Sequence, residues 1–481
     1  RKNWIVRFAR IWRRWVMGFD FQLLENAGIQ LIDGDRGKNY PKHNDFMENG
    51  YCLFLSAKNV TKSGFQFQET LFINETKDRE LRAGKLKYGD IVLTTRGTVG
   101  NVAYYDNNNP YKHIRINSGM IIIRADNKLW NPKFLYFILK SELLKEQIIN
   151  LISGSAVPQL PARDIRKFIL PVINRSLQNK ITNIISDIND KVNLNIEINQ
   201  TLEKMSQTLF KSWFVDFDPV IDNALDAGNP IPEALQSRAE LRQKVRNCAD
   251  FKPLPAEIRS LFPSEFEETE LGWVPKGWSF TALKNFGKII CGKTPTKSNK
   301  NYYGEDFLFI KIPDMHGKVF VTNSHDKLSK LGSESQSNKI IPHGSICVSC
   351  IATVGLVSIN AQDCHTNQQI NSIVPNSPHY RNYLYFSMLE KYKIFHDLAS
   401  GGSATLNMNT SVFSNIATLM PNNLVLKQFH KITEPWFEAI LLNEYKLTSL
   451  ASLRDTLLPK LISGELSLED LPDLNTDTEA A

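Results

Sequence analysis

No apolar run in this 481-residue chain reaches the roughly 20 residues that cross a bilayer as a helix. Cysteine is scarce: six scattered residues with no secretory leader suit an expected reducing cytoplasm. An excess of one charge is also lacking. The formal net charge is +7, but Arg1, Lys2, Arg7, Arg10, Arg13 and Arg14 supply six of the 57 cations, and without them 51 cations face 50 anions. Bulk charge therefore argues for no polyanionic partner, and any basic surface has to come from local clustering. At this length about two to four domains are expected, each able to bury a core.

Catalytic patterns are absent or fail in context. The stretch from Gly287 to Thr294 (GKIICGKT) matches the phosphate-loop pattern, which needs a buried strand before it and a helix beginning at its Lys. Pro295 follows at once and no amphipathic period continues, so a nucleotide site through Lys293 is set aside. Cys347, Cys350, Cys364 and His365 have the ligand count of a zinc site, yet Cys347 and Cys350 fall on an expected strand whose counterpart carries Val92 and Thr95. Packed free thiols are expected there. Asn109-Pro110-Tyr111 shares letters with an amino-methyltransferase tetrapeptide but lacks its second proline, and no Gly-rich cofactor loop follows a strand. No Ser/His/Asp order, paired-acid cluster or nuclease-type arrangement of carboxylates with a Lys stands out. The chain reads as non-catalytic, with no metal or cofactor of its own.

What the chain does contain is a long seam, twice. Leu177 to Phe214 has no Pro or Gly and places Ile181, Ile185, Ile188, Val192, Asn195, Asn199, Leu202, Ser206, Leu209 and Trp213 at alternating four- and three-residue steps, a period of about 3.5 that suits a coiled coil. From Phe429 to Ile462 the pattern returns 248 positions later. Phe429, Ile432, Trp436, Ile440, Asn443, Leu450, Leu453, Leu457 and Leu461 stand where Ile181, Ile184, Ile188, Val192, Asn195, Leu202, Met205, Leu209 and Trp213 stood. Each stripe alone is a core face; its recurrence is the informative part.

The regions ahead of the two helices repeat as well. LFLSAKNV (Leu53 to Val60) lies over LFIKIPDM (Leu308 to Met315) and Gly89 to Gly100 over Gly344 to Gly355, both at an offset of 255. Ile116-Asn117-Ser118 is laid over Ile370-Asn371-Ser372 at 254, Phe134-Leu135-Tyr136-Phe137 over Tyr383-Leu384-Tyr385-Phe386, and Gly154-Ser155-Ala156 over Gly402-Ser403-Ala404 at 248. A domain-scale duplication is the expectation: an α+β chain of two mixed globular units, 19–176 and 271–424, each followed by a spacer helix, 177–216 and 425–463. Between them, 217–270 reads as a Pro-rich linker with a short helix around Glu233 to Val245. Residues 464–481 form an acidic tail expected to fray. Residues 1–18 place Trp4, Phe8, Ile11, Trp12 and Trp15 on one helical face and arginines on another, and this extension, which has no counterpart in the second repeat, is given no role.

With the duplication in view, the chain strongly resembles the specificity subunit of type I restriction-modification enzymes over nearly everything after residue 18. The pieces that carry the resemblance are RGTVG (Arg96 to Gly100), SGSAVPQL (Ser153 to Leu160), FKSWFVDFDPV (Phe210 to Val220), LFPSEFEETELGWVPKGW (Leu261 to Trp278), CGKTP (Cys291 to Pro295) and RDTLLPKLISGEL (Arg454 to Leu466). The resemblance implies two target-recognition domains, each reading one half of a bipartite double-stranded DNA site. It also implies that the two helices pair antiparallel, separate the domains and dock methyltransferase subunits, two of them, with a restriction or translocase subunit as a further partner. S-adenosylmethionine, ATP and Mg would belong to those partners. The chain departs from the pattern in having Ile351 where the first repeat has Arg96. A coiled-coil scaffold that reads no sequence is the rival class.

Base edges and phosphates call for Arg, Lys, Asn, Gln and hydroxyls on loops. The candidates are Lys58, Asn59, Arg96, Lys112, His113 and Arg115 in the first unit, and Lys293, Thr294, Lys297, Lys300, Lys311 and Gln368 in the second. For the helices, setting Asn195 against Asn443 places Ile181 by Leu457, Ile185 by Leu453, Ile188 by Leu450, Leu202 by Trp436 and Leu209 by Phe429.

Overall fold

The central strands in this chain, such as Cys52–Leu55, Ile91–Thr94 and Ile346–Ser349, are short runs buried along their whole length, the pattern of sheets covered on both faces. A computed structural model describes residues 20–152, 158–400, 406–463 and 465–466. The 1–18 extension, most of the acidic tail and the Gly154/Gly402 match lie outside the described residues. The chain divides into one unit of residues 1–192 with 449–481 and another of residues 193–448.

The first unit has strands β1 (Phe21–Leu23), β2 (Ile29–Asp33), β3 (Cys52–Leu55), β4 (Val60–Thr61), β5 (Gly64–Phe65), β6 (Phe72–Ile73), β7 (Ile91–Thr94), β8 (Val102–Tyr104), β9 (Ile114–Ile116), β10 (Met120–Ala125) and β11 (Ile169–Pro171). They form a four-stranded sheet in the order β2-β10-β7-β8, a three-stranded sheet β6-β3-β9 and the pairs β1-β11 and β4-β5. Alternation splits β7 and β10 between two cores. Ile91, Leu93, Ile121 and Ile123 pack with Phe134, Leu135 and Ile138 of the helix Pro132–Lys140, whereas Val92 and Ile122 pack with Leu53, Leu55, Ile114 and Ile116. That helix starts where Asn131 Oδ1 accepts from the N–H of Lys133 at 3.0 Å and Phe134 at 3.2 Å, with Pro132 at its first turn. Pairing of Phe21 with Pro171 joins the two ends of the domain.

The second unit repeats this plan. Its strands are β12 (Phe266–Thr269), β13 (Gly272–Pro275), β14 (Ser279–Ala282), β15 (Gly287–Cys291), β16 (Tyr303–Ile310), β17 (Phe320–Val321), β18 (Asp326–Leu328), β19 (Ile346–Ser349), β20 (Val357–Asn360), β21 (Cys364–Thr366), β22 (Ile370–Pro375) and β23 (Ala417–Met420). The sheets run β15-β22-β19-β20-β17, β18-β16-β21, β14-β23 and β12-β13. One sequence alignment needs correction. Parallel pairing sets Leu53 by Ile114 in the first unit and Leu308 by Cys364 in the second, so Ile114 matches Cys364 and Asn117 matches Asn367. The shared letters at Ile370-Asn371-Ser372 begin β22 instead, four residues out of structural phase.

The stretch 217–270 is folded, not a free linker. Phe217, Val220 and Phe262 are buried in the core that holds Trp278 and Phe429. The short helix is present as Gln236–Arg246, beside helices Asp218–Ala227 and Ala256–Arg259. Arg238 Nε donates to Asp218 Oδ1 at 2.7 Å, Arg242 pairs with Asp222, and Arg246 and Arg259 both pair with Asp226. Pro219 and Pro255 sit at helix starts, where a missing N–H costs nothing.

The long helices span Arg175–Phe214 and Asn423–Ser463. Each unit takes part of both. In the first, Ile181 and Ile185 share a core with Leu458, Leu461 and Ile462, and Arg454 donates to Asn189 Oδ1 at 3.3 Å. In the second, Phe429 meets Phe210, Trp213 and Phe214 with ring centroids 6.2, 6.0 and 5.1 Å apart, and Asn443 Nδ2 donates to Asn199 Oδ1 at 2.9 Å. In both units the pairing runs antiparallel. The expected register is corrected by one turn, since Asn443 hydrogen-bonds Asn199, four residues beyond Asn195. In the second helix the buried line passes through Thr433, Phe437, Ile440 and Asn443, leaving Trp436 and Leu450 half-buried and Leu453 exposed. The aromatic end decides this. Phe429 fills the space between Phe210, Trp213 and Phe214, a larger apolar contact than the single Leu209 that was to meet it.

Candidate nucleic-acid interface

In each unit the same loops converge at one end of the main sheet. The turn after β7 has Arg96 bridged to Gln159, and its counterpart after β19 has Ile351 bridged to Asn407. Leu160 N–H donates to Thr95 O at 2.9 Å and Met408 N–H to Cys350 O at 2.9 Å. The turn before β10 is closed by Gly119 N–H on Asn117 Oδ1 at 2.9 Å, and the one before β22 by Gln369 N–H on Asn367 Oδ1 at 3.2 Å. These turns in turn hold the first ones, through Thr95 N–H to Gly119 O at 2.8 Å and Cys350 N–H to Gln369 O at 2.7 Å. The backbone after β2 and β15 comes so close that a Cβ on Gly34 or Gly292 would lie 2.2 Å from the carbonyl oxygen of Asn117 or Asn367. Only glycine fits there. Gly97 at φ 72° and Ala352 at φ 65° both take the left-handed conformation that turns the chain after the bridge.

Side chains differ where backbone repeats. In the first unit Arg96 is exposed on this end, and Arg36 reaches it through a 3.4 Å hydrogen bond to Ser118 O. The Asp35 carboxyl fixes the Arg36 loop by accepting from Gly37 and Arg82 N–H groups at 2.8 and 2.7 Å, and those bonds hold its pKa below the usual carboxylate range. The hairpin β4-β5 adds Lys62 and Ser63, which face Gly97, Thr98, Asn101 and Pro158 across a cleft of about 580 Å³. In the second unit Lys293 and Lys297 are exposed, Thr294 Oγ1 donates to Gln368 Oε1 at 2.6 Å, and Lys300 continues the same loop. Residues 292–299 form no helix at Lys293, which removes the second half of a phosphate loop.

Several sequence candidates are elsewhere. Asn59 is 2% exposed; its Oδ1 accepts from Ser56 N–H at 2.8 Å and its Nδ2 donates to Gln66 and Glu69 carbonyls at 3.0 and 2.7 Å, so it braces the hairpin from below. Arg115 is also buried, with Nε on Asp78 Oδ1 at 2.5 Å and its other nitrogens on the carbonyls of Ala83, Asp78 and Leu81. Burial alone would raise the Asp78 carboxyl, but the hydrogen bonds from Lys85 and Arg115 outweigh it and hold it low. Neither Asn59 nor Arg115 can reach a base. Lys58 pairs with Glu69 at 2.6 Å on open surface. Lys311 pairs with Asp326 and lies over the Phe309 ring at 5.2 Å, holding the Asp326 carboxyl below its usual range. Lys112 and His113 precede β9 and so stand at its opposite end from Asn117, His113 stacking on Tyr51 at 4.3 Å. Arg36 and Lys62 were missed, although GDRGK and TKSG each set a cation in a Gly-containing turn.

The cysteines are interior groups. Cys347 and Cys350 are buried in or beside β19, and burial pushes their thiols up to about 11 and 12, as packed interior thiols. At the position of Arg115 the second unit has His365, also buried, with Nε2 2.8 Å from Ser333 Oγ and Nδ1 3.2 Å from Gln336 Nε2.

Comparison with known proteins gives one family. The model described as "Type I restriction modification DNA specificity domain" matches residues 27–204 and 275–424. The chain is 39% identical to the type I restriction enzyme HindI specificity subunit of Haemophilus influenzae, over 90% of this chain and 98% of that one. It is 23% identical to the MjaIX specificity subunit of Methanocaldococcus jannaschii, over 80% and 79%. In fold it is similar to the crystal structure of the type I restriction-modification S subunit from M. genitalium, with a TM-score of 0.52 at 14% identity and coverage of 95% and 97%. A family match falling once on each of two units whose sheets, turns and bridges repeat leaves one assignment: the chain belongs to the type I restriction-modification DNA specificity family.

Proposed function

We propose that this chain is the sequence-reading subunit of a type I restriction-modification complex, in which each unit reads one half of an asymmetric bipartite DNA site. The observation that carries the reading is the pair of converging loop ends, built on one backbone plan but bearing Arg36, Lys62 and Arg96 in one unit and Lys293, Lys297 and Gln368 in the other. Unlike side chains on like frames read unlike bases. In this reading the long helices set the gap between half-sites and dock two methyltransferase subunits, with Leu194, Ile198 and Met205 of the first and Leu442 and Tyr445 of the second as the exposed apolar contacts. S-adenosylmethionine, ATP and Mg would be held by methyltransferase and restriction partners in the cytoplasm, and this chain would contribute no reacting group. Among the described residues no helix is long and apolar enough to cross a membrane.

The test is reconstitution with methyltransferase subunits on a randomised duplex library. Methylation confined to one bipartite sequence, absent when the chain is omitted, supports the reading. Binding to the partners with no sequence preference would make the chain a scaffold.

A further inference from the structure

We infer that the tip of the β4-β5 hairpin, Lys62 with Ser63, is the base-reading finger of the first unit and that Lys62 takes a guanine in the major groove. The inference rests on the proposed DNA-reading role and specifies how one half-site is recognised. Three observations point to it. First, the tip is exposed on a braced base. Val60 pairs with Phe65 and Thr61 with Gly64, leaving a two-residue turn. Thr61 Oγ1 donates to Gly64 O and accepts from Ser63 N–H, each at 3.2 Å. The base is tied from below by the Asn59 amide, and from the side by Asn101 Nδ2 on Val60 O at 2.9 Å.

Second, Lys62, like Arg96 in the turn it faces, is an exposed cation without a carboxylate partner among the described residues. Lys58, at the foot of the hairpin, is matched by Glu69, and Lys77 and Arg79 have carboxylate partners. Lys62 is exposed and makes no ion pair among the described residues, and it overlooks the cleft shared with Gly97, Thr98 and Asn101. Since Asn101 and Thr98 belong to the repeated turn after β7, the finger is fixed to the frame that both units share.

Third, among the described residues the second unit has no such finger at the corresponding position. The box in which Asn59 Oδ1 accepts from Ser56 N–H has its counterpart in Asp314 Oδ2 and Lys311 N–H at 2.8 Å. From there the chain turns at Gly317, φ 66°, and enters β17, which pairs parallel with β20 as an added sheet edge. The two units thus differ here: the first carries a two-stranded ribbon, an element the major groove accommodates, whose base packs on the sheet through buried Val60 and whose tip, Lys62 and Ser63, is exposed. A lysine at its tip matches the O6 and N7 acceptors of guanine, and the neighbouring hydroxyl can accept or donate.

The experiment uses the complete chain assembled with its methyltransferase subunits, scored base by base on the randomised duplex library. Lys62→Ala is expected to cost about 10- to 100-fold at a guanine in one half-site and to relax the choice there, with the other half-site unchanged. Duplexes carrying 7-deazaguanine at that position test the same contact on the unaltered protein, and should lose affinity for it but not for the Lys62→Ala complex. An equal loss on every sequence, with a shallower salt slope, would show a phosphate contact and overturn the inference. So would a half-site with no guanine dependence, or one that does not respond to the substitution. If the unaltered complex methylates without sequence preference, the DNA-reading role itself falls, an outcome distinct from those three.

Discussion

Removing the Arg115 guanidinium would leave the Asp78 carboxylate, 3% exposed, with Lys85 as its remaining cation and three backbone carbonyls without a donor. Arg115→Ala is therefore expected to destabilise the first unit by about 3 kcal/mol, read as a lowered urea midpoint, while base preference in any surviving complex stays unchanged. A relaxed half-site with full stability would return Arg115 to the list of DNA contacts. His365, its counterpart, predicts a pH effect. Burial pushes the imidazole down to about 4 from an ordinary value near 6.5, so the unfolded chain binds a proton that the folded one refuses. Its contribution is complete above about pH 6.5 and is lost as pH falls through 4, at most about 3 kcal/mol. Urea midpoints between pH 7 and 4 should fall more steeply for the natural chain than for His365→Gln; parallel slopes would contradict this. Residue type alone could not separate these groups from DNA contacts, because a buried Arg–Asp network and a phosphate clamp ask for the same side chain. What differs is the strand alternation around it: Arg115 sits between Ile114 and Ile116, all three buried.

Both long helices were legible at the scale of elements, because an uninterrupted apolar period of that length has few other uses. The register was not legible. Asparagine occurs at both Asn195 and Asn199, four residues apart on one face, and only the aromatic cluster around Phe429 decides which of them meets Asn443. Replacing Asn199 and Asn443 together by Leu should raise the thermal midpoint, since a buried amide pair gives way to apolar contact, and should broaden the alignment seen by paired spin labels. A lower midpoint, with alignment kept, would show that the amides stabilise more than they specify. The folded stretch after the first helix was hidden by its prolines. Its signature was nonetheless present in the sequence: Asp218, Asp222 and Asp226 at four-residue steps, and Arg238, Arg242 and Arg246 at the same steps, which face each other as one ladder.

For the whole molecule the duplication was readable because landmarks kept their order, although shared letters at Ile116 and Ile370 lie four residues out of the phase that strand pairing sets. Which loops converge was not readable, since Arg36, Arg96 and Asn117 lie far apart along the chain and meet only through the turn and bridge contacts of the sheet end. If the helices set the gap, one heptad added to each, beside Asn199 and Asn443, lengthens each by about 10 Å, or roughly three base pairs. Methylation mapping should then show the unread bases changed by about one to three with both half-sites kept; an unaltered gap at full activity would limit the helices to holding partners. The central claim is that each unit reads its own half-site, and exchange of residues 20–170 for the matching unit of another family member tests it most directly. Sequencing methylated sites of the reconstituted complex should show one half-site replaced and the other untouched, with the old target lost because each wrong base pair costs about 1–3 kcal/mol. A change in both halves, or in neither, would contradict it.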